Sequence, residues 1–515
     1  MSKRRSNREF GCGSLTQSAC LDYTRIGRDL SKPSTMAAVT TPVGSGASSP
    51  LSSEDLDPRI DSTIKVLDWD TLLLAACAAC RCTSATWAGQ LTGGYNLVRL
   101  LQLDDQTEIV ARVPCQAEAG QSVTTAVTFC HRIASEVASM EYVATHTRIP
   151  IPRVIAYSTE PDGGGFGSPY ILMSKVEGVQ LSSVWDDMVD EKRIIILREV
   201  VDIILQLSSL RFDQMGALFK GDGPTNSQFY INPIAPILDI ENLAFLSQAT
   251  SKTYSNALEF WVTCVNLALE QIDNEHFGNE CKSHDYARTW WLRSLIPTVI
   301  DTSLDAQGFP LQHGDFHSQN ILVADLDTPS PRISAVIDWE FTSTEATSCF
   351  AQYPLFIVDH PLWDVNHPLK SRNLKDQSTF NDLIREAEGR LLPDGDLPLS
   401  QAFQKCQVVY LFQQCILHRE SSSGLDRLLF ELVFGPPVKD SDFGDKYWDA
   451  LLRGILKSQS ERFKIEVLVK EEALEVLGDE LIPYKLSRVE FKATIIDHLD
   501  KFKLDGQVKQ WLASK

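Results

Sequence analysis

At 515 residues the chain exceeds what one average domain needs, and its 43% apolar and 23% charged residues exclude wholesale disorder. A net charge of -20 argues against a nucleic-acid or anionic-membrane partner, since both want a basic face. The longest apolar run, residues 72–80, stops at Arg81, far short of the ~20 residues that span a bilayer, so a soluble chain with no integral membrane segment is expected.

Residues 1–55 are rich in Ser, Gly, Thr and Pro and lack periodicity, which reads as a disordered tail. Its first 32 residues carry seven Lys/Arg against three acids, a composition that also resembles a mitochondrial transit peptide. A dispensable tail, or a mis-called start upstream of Met36, is the plainer reading, with a cytoplasmic location. Residues 56–176 then read as a small amino lobe. Residues 69–80 have helical spacing, residues 92–96 form a turn around Gly93 and Gly94, and residues 97–103 and 108–113 form a hairpin about Asp104 and Asp105. A helix is expected over 129–147, ended by Pro150 and Pro152, followed by strands at 153–158 and 170–176.

From residue 177 to 515 the pattern is mainly helical, with helices at 191–210, 253–272 and 286–299 and more from about Ser371 onward. One β insertion interrupts it at residues 311–341. The expected fold class is therefore α+β: a bilobal arrangement of a small sheet lobe and a larger helical lobe. Twelve cysteines are scattered along the chain. The cluster Cys77, Cys80 and Cys82 has no second Cys/His pair at metal spacing, so packing by reduced thiols is favoured over zinc or redox use.

The β insertion holds His313-Gly-Asp315-Phe-His-Ser-Gln-Asn320 and then Ile337-Asp338-Trp339-Glu340. Phosphoryl transfer needs metal on the phosphates, an acceptor hydroxyl in line, and positive charge over the transferring group. An Asp that takes the hydroxyl proton, an Asn five residues later and a second Asp after a hairpin meet that need. Hard oxygen ligands of this kind suit Mg²⁺. His313 is expected to brace the loop rather than titrate. For His317, bracing and a role beside phosphate or substrate stay open. Trp339 is expected to pack in the core.

These residues resemble the aminoglycoside phosphotransferase family, the kinase-like small-molecule kinases that include choline-type kinases. Gly93-Gly-Tyr-Asn-Leu-Val-Arg99, Val110-Ala-Arg-Val-Pro114, Ser135-Glu-Val-Ala-Ser-Met140 and Tyr170-Ile-Leu-Met-Ser-Lys-Val-Glu-Gly178 look like blocks of its fungal members. The resemblance implies ATP as donor, Mg²⁺ as cofactor and a small-molecule hydroxyl acceptor. It implies Asp315 as catalytic base, Asn320 and Asp338 as metal ligands, and Glu136 as the helix carboxylate paired with a strand cation. Gly93 and Gly94 would approach the phosphates and Met173 the adenine. The family's phosphate-gripping Lys is replaced by Arg112, which grips phosphate, pairs only with Glu136, or stands exposed on its strand. That change, with an incomplete glycine loop, keeps a weak pseudokinase or nucleotide-binding scaffold as a rival. Gly314 stands where protein kinases carry Arg, which disfavours an atypical protein kinase. Glu340 and Glu345 face either a cationic substrate or solvent. Asp359, His360, Asp364 and His367 read as a surface or cleft segment rather than a metal site. The oligomeric state is not legible.

Overall fold

A computed structural model describes residues 58–92, 96–115, 123–221, 228–235, 244–275, 277–279, 281–359, 363, 366–392, 397–417, 423–435, 443–478, 481–482, 486–502, 506, 509 and 511. The expected tail 1–55, together with Gly93, Gly94, His360 and Asp364, lies outside the described residues.

The amino lobe opens with α1 (Pro58–Val66) and α2 (Trp69–Cys80). Asp68 caps α2 by accepting the Thr71 N–H at 3.3 Å. Arg81 ends it in a left-handed turn that brings the Cys82 N–H onto the Cys77 carbonyl, so these cysteines sit in a helix cap. The strands are β1 (Ala85–Thr92), β2 (Asn96–Leu103), β3 (Glu108–Pro114), β4 (Val154–Ser158) and β5 (Tyr170–Ser174), in the antiparallel order β1-β2-β3-β5-β4. Strand β1 was not expected. It lacks apolar alternation, bulges between Trp87 and Gly89, and is held by the Arg99 guanidinium 3.9 Å over Trp87 and 4.4 Å over Trp69.

Strand alternation decides which side chains face the second lobe. Ile109, Ala111 and Val113 pack under α2, so Val110 and Arg112 point the other way. There they meet α3 (Val123–His146), whose Ile133, Glu136, Val137, Met140 and Val143 form its buried face. The helix starts earlier than the expected Phe129. On β5, Ile171 and Met173 join this same face while Tyr170 and Leu172 take the α2 side.

In the carboxy lobe, β6 (Val179–Gln180) leads to α4 (Asp190–Ser209), then β7 (Arg211–Phe212), β8 (Ala217–Lys220) and β9 (Phe229–Asn232). After α5 (Ala244–Ala249), α6 (Ala257–Asn274) begins later than expected. Asn256 caps it by accepting the N–H groups of Leu258 and Glu259, while Tyr254 is held extended against Met215. Next come α7 (Lys282–Val299), β10 (Phe309–Gln312), β11 (Ile321–Ala324), β12 (Arg332–Val336) and β13 (Ser343–Thr344). Helices α8 (Thr347–Phe350), α9 (Lys370–Leu391), α10 (Pro398–Gln404), α11 (Cys406–Leu417), α12 (Ser423–Phe434), α13 (Phe443–Arg453), α14 (Lys457–Leu477) and α15 (Arg488–Asp497) complete it.

One core runs from α3 through α4 to α9, a second joins α6, α7 and α11–α13, and a third gathers Phe277, Phe491 and Trp511. Buried Lys282, 3.0 Å from Glu466, and Arg488 on both Asp273 and Glu466 tie α14 and α15 to α6 and α7. The whole is an α+β, bilobal fold of a small sheet lobe and a larger helical lobe. Among the described residues no helix is long and apolar enough to cross a membrane.

Candidate active site

Two short ladders in the carboxy lobe fix the ends of two loops. In the first, β10 pairs with β13 through Gln312 and Ser343; in the second, β11 pairs with β12 through Ile321 and Val336. Residues 313–320 and 337–342 are thus pinned at both ends and face each other. Short apolar strands at these positions are therefore what brings Asp315, Asn320 and Asp338 to one mouth. The backbone adds a direct link, since the Ile337 N–H donates to the Asn320 carbonyl at 2.9 Å.

Gly314 is the tightest point. It has φ +80°, and a Cβ there would stand 2.1 Å from the Phe341 carbonyl oxygen. No side chain fits without moving backbone. Gly314→Ala is expected to lower stability by roughly 2–4 kcal/mol in urea unfolding, through the forced φ and the loop displacement together. An unchanged midpoint would contradict this packing. At the hinge, Gly178 plays a similar part, with φ +129° and Ser334 Oγ 2.4 Å from where a Cβ would be.

His313 is 1% exposed. Its Nε2 lies 3.0 Å from the Ile337 carbonyl oxygen, which can only accept, and its Nδ1 accepts the Asp315 N–H at 3.3 Å. Both contacts are met by the neutral ring, and burial pushes its pKa down to about 4. It therefore braces both loops, as expected. A depressed His pKa stabilises the fold above about pH 6.5 and loses that contribution as pH falls towards 4. The expected loss over that window is roughly 3 kcal/mol, and His313→Asn should flatten this part of the stability–pH curve.

Burial raises the Asp315 carboxyl, but hydrogen bonds from His317 and Asn320 outweigh it and leave the pKa below its ordinary value. His317 Nε2 lies 3.3 Å from Asp315 Oδ2, and Asn320 Nδ2 donates to the same oxygen at 3.0 Å and to the Asp315 carbonyl at 3.0 Å. His317 Nδ1 accepts the Gln319 N–H at 3.1 Å, so Nε2 carries the proton and donates. The question left open for His317 is answered by geometry: it braces Asp315. Oδ1 of Asp315 takes no hydrogen bond from the described residues and remains for an incoming group.

Arg112 is buried and not an exposed strand Arg. Nη1 bonds Glu136 Oε1, while Nη2 lies 2.5 Å from Asp338 Oδ1 and 3.1 Å from Glu340 Oε2. The three carboxylates outweigh the cost of burying this cation and hold it charged. Burial and mutual repulsion raise the Glu136 and Glu340 carboxyls. Glu340 is thus corrected: its side chain is 6% exposed, bonds Arg112 and accepts from Asn96 Nδ2 at 2.9 Å, so it faces neither solvent nor a substrate. Asn96, at the start of β2, was missed; its place beside the glycine turn was the only signal. Glu345 is half-buried, its carboxyl pushed up to about 7 by burial. Trp339 is fully buried, with Nε1 donating to the Val336 carbonyl, as expected of a core residue. Met173 is buried beside Val110 and Val154. Asp359 pairs with Lys370 at 3.4 Å, and His367 stacks on Trp363. Among the described residues no group of three His, Cys, Asp or Glu is placed to hold a metal, at the cysteine cap or elsewhere.

Residues 130–345 match the model described as "Phosphotransferase enzyme family". A subtelomeric hrmA-associated cluster protein of Aspergillus fumigatus is 31% identical over 150 residues, covering 28% of this chain and 28% of that protein. Altered inheritance of mitochondria protein 9, mitochondrial, of Candida glabrata is 27% identical over 152 residues, covering 26% of this chain and 23% of that protein. The matched stretch is thus less than a third of the length of these curated relatives. Among solved structures, the GDP complex of aminoglycoside 2'-phosphotransferase-IIIa aligns at 13% identity and TM-score 0.37, over 70% of this chain and 96% of that one. The macrolide 2'-phosphotransferase of Brachybacterium faecium aligns at 13% identity and TM-score 0.34, over 72% of this chain and 99% of that one. Over residues 130–345, then, this chain is similar to the phosphotransferase enzyme family.

Proposed function

We propose that the chain moves the γ-phosphate of ATP to a hydroxyl of a small-molecule acceptor, with Asp315 as base and Mg²⁺ held by Asn320 and Asp338. The observation that carries the reading is the convergence of Asp315, Asn320 and Asp338 on two loops pinned by short ladders, with Arg112 reaching Asp338 from the other lobe.

The donor set fits the metal: two hard oxygen side chains, with Asp338 a third exposed towards the cleft. Asn320 turns its Nδ2 to Asp315, which leaves its Oδ1 for a cation. Mg²⁺, when bound, would offset charge on the phosphate oxygens. The protein's own part is positioning. Asp315 Oδ1 accepts the acceptor's hydroxyl proton, while His317 and Asn320 hold Oδ2 and keep the carboxylate ionised. His313 keeps the two loops in register. Arg112, backed by Glu136, supplies positive charge beside the phosphates. Gly93, Gly94 and Met173 keep their proposed places against phosphates and adenine.

A second reading, a nucleotide-binding scaffold with little turnover, draws on one observation: Arg112 stands on the carboxylate meant for the metal. A mitochondrial location is part of the proposal, suggested by the basic amino terminus and the printed name of the Candida glabrata relative; subcellular fractionation reads it. Calorimetry tests the nucleotide claim. ATP should bind, more tightly with Mg²⁺, and Asp338→Ala should weaken the Mg²⁺-dependent part by about tenfold or more. No ATP binding at any Mg²⁺ concentration would contradict it.

A further inference from the structure

The Arg that replaces a Lys here has an acceptor arrangement of its own. A lysine is a point charge, whereas a guanidinium is a planar fork whose Nη2 carries two N–H groups. In this chain Nη1 is taken by Glu136, and Nη2 is shared between Asp338 at 2.5 Å and Glu340 at 3.1 Å. Glu340 cannot swing into solvent, being nearly buried and fixed by Asn96 Nδ2 at 2.9 Å. Asn96 opens β2 of the amino lobe, and Glu340 lies in the metal turn of the carboxy lobe. Their bond therefore also fixes the turn against the sheet that carries Arg112.

Without Glu340, Asp338 would be the only carboxylate within reach of Nη2 among the described residues. The guanidinium would then neutralise the oxygen that a cation needs. With Glu340 in place, Nη2 has a second, immobile acceptor to turn to, and the three carboxylates leave a surplus of negative charge at the mouth.

We propose that Glu340 and Asn96 are positioning residues that draw the Arg112 fork off Asp338, so that Asp338 is released to Mg²⁺ when the nucleotide enters. The proposal rests on the phosphotransferase reading above. It makes Arg112 and Glu340 a matched pair: the arginine is compatible with a metal site because the glutamate is present.

The test is binding of a fluorescent ATP analogue titrated with Mg²⁺, with thermal midpoints recorded alongside. Glu340→Gln is expected to raise the Mg²⁺ concentration for half-maximal binding about tenfold, with metal-free binding changed by less than about twofold. Asn96→Ala should shift the Mg²⁺ midpoint the same way by a smaller factor. Combining Glu340→Gln with Arg112→Lys should bring the midpoint back to within about threefold of wild type, since lysine has no fork to sit on Asp338. If Glu340→Gln lowers metal-free binding and thermal midpoint while the Mg²⁺ midpoint stays put, the residue is only structural and the proposal is wrong. If the double variant shows no recovery, the pairing is wrong. A wild-type protein that binds no nucleotide overturns the phosphotransferase reading itself, and this inference with it.

Discussion

Asp315→Asn is expected to lower acceptor-stimulated ATP turnover by about 10²- to 10⁴-fold, the range usual for losing a positioned general base. The substitution keeps the shape of the side chain. Its amide oxygen can still accept from His317 and Asn320, which both donate to Oδ2 in the wild type. The thermal midpoint should therefore move little, and KM for ATP should stay within a few-fold. What disappears is the basic oxygen that no described residue engages. A parallel fall in stability would mean that Asp315 acts as a loop cap instead, and unchanged turnover would remove its catalytic role.

Arg112→Met should give the largest loss of stability in the site, about 3–5 kcal/mol by urea unfolding at neutral pH. The reason is what remains. Glu136 is 2% exposed and the Glu340 side chain 6%, and both would be left beside Asp338 with no cation between them. Part of the loss should be recovered as pH falls, because the stranded carboxylates can then take up protons. Arg112→Lys should cost less, since the charge is kept. A stability loss under 1 kcal/mol for Arg112→Met would show that the three carboxylates do not depend on this guanidinium.

The half of the candidate site around Asp315 was legible because its residues are nearly contiguous in sequence. Asp315, Asn320 and Asp338 lie within one β insertion whose strands were visible as short apolar runs. Arg112 and Glu136 were legible as a pair only through the family resemblance of their strand and helix blocks. The reach of Arg112 to Asp338 and Glu340 was not, because the pairing joins residues more than two hundred positions apart. Glu340 read as facing a cationic substrate or solvent for the same reason: an isolated Glu after a core Trp carries no local sign of burial. Strand β1 escaped because its hold is a cation–π sandwich and a bulged ladder rather than alternation. The helices beyond residue 370 were visible as helices only, and the buried charge network that docks the last of them depends on tertiary pairing.

The most direct test of the phosphotransferase claim is Mg²⁺-dependent transfer of labelled γ-phosphate from ATP to a panel of hydroxylated amines, sugars and antibiotics. The reading predicts a phosphorylated product on at least one acceptor, with formation lost in Asp315→Asn. Tight nucleotide binding with no labelled product on any acceptor would contradict it and favour the scaffold.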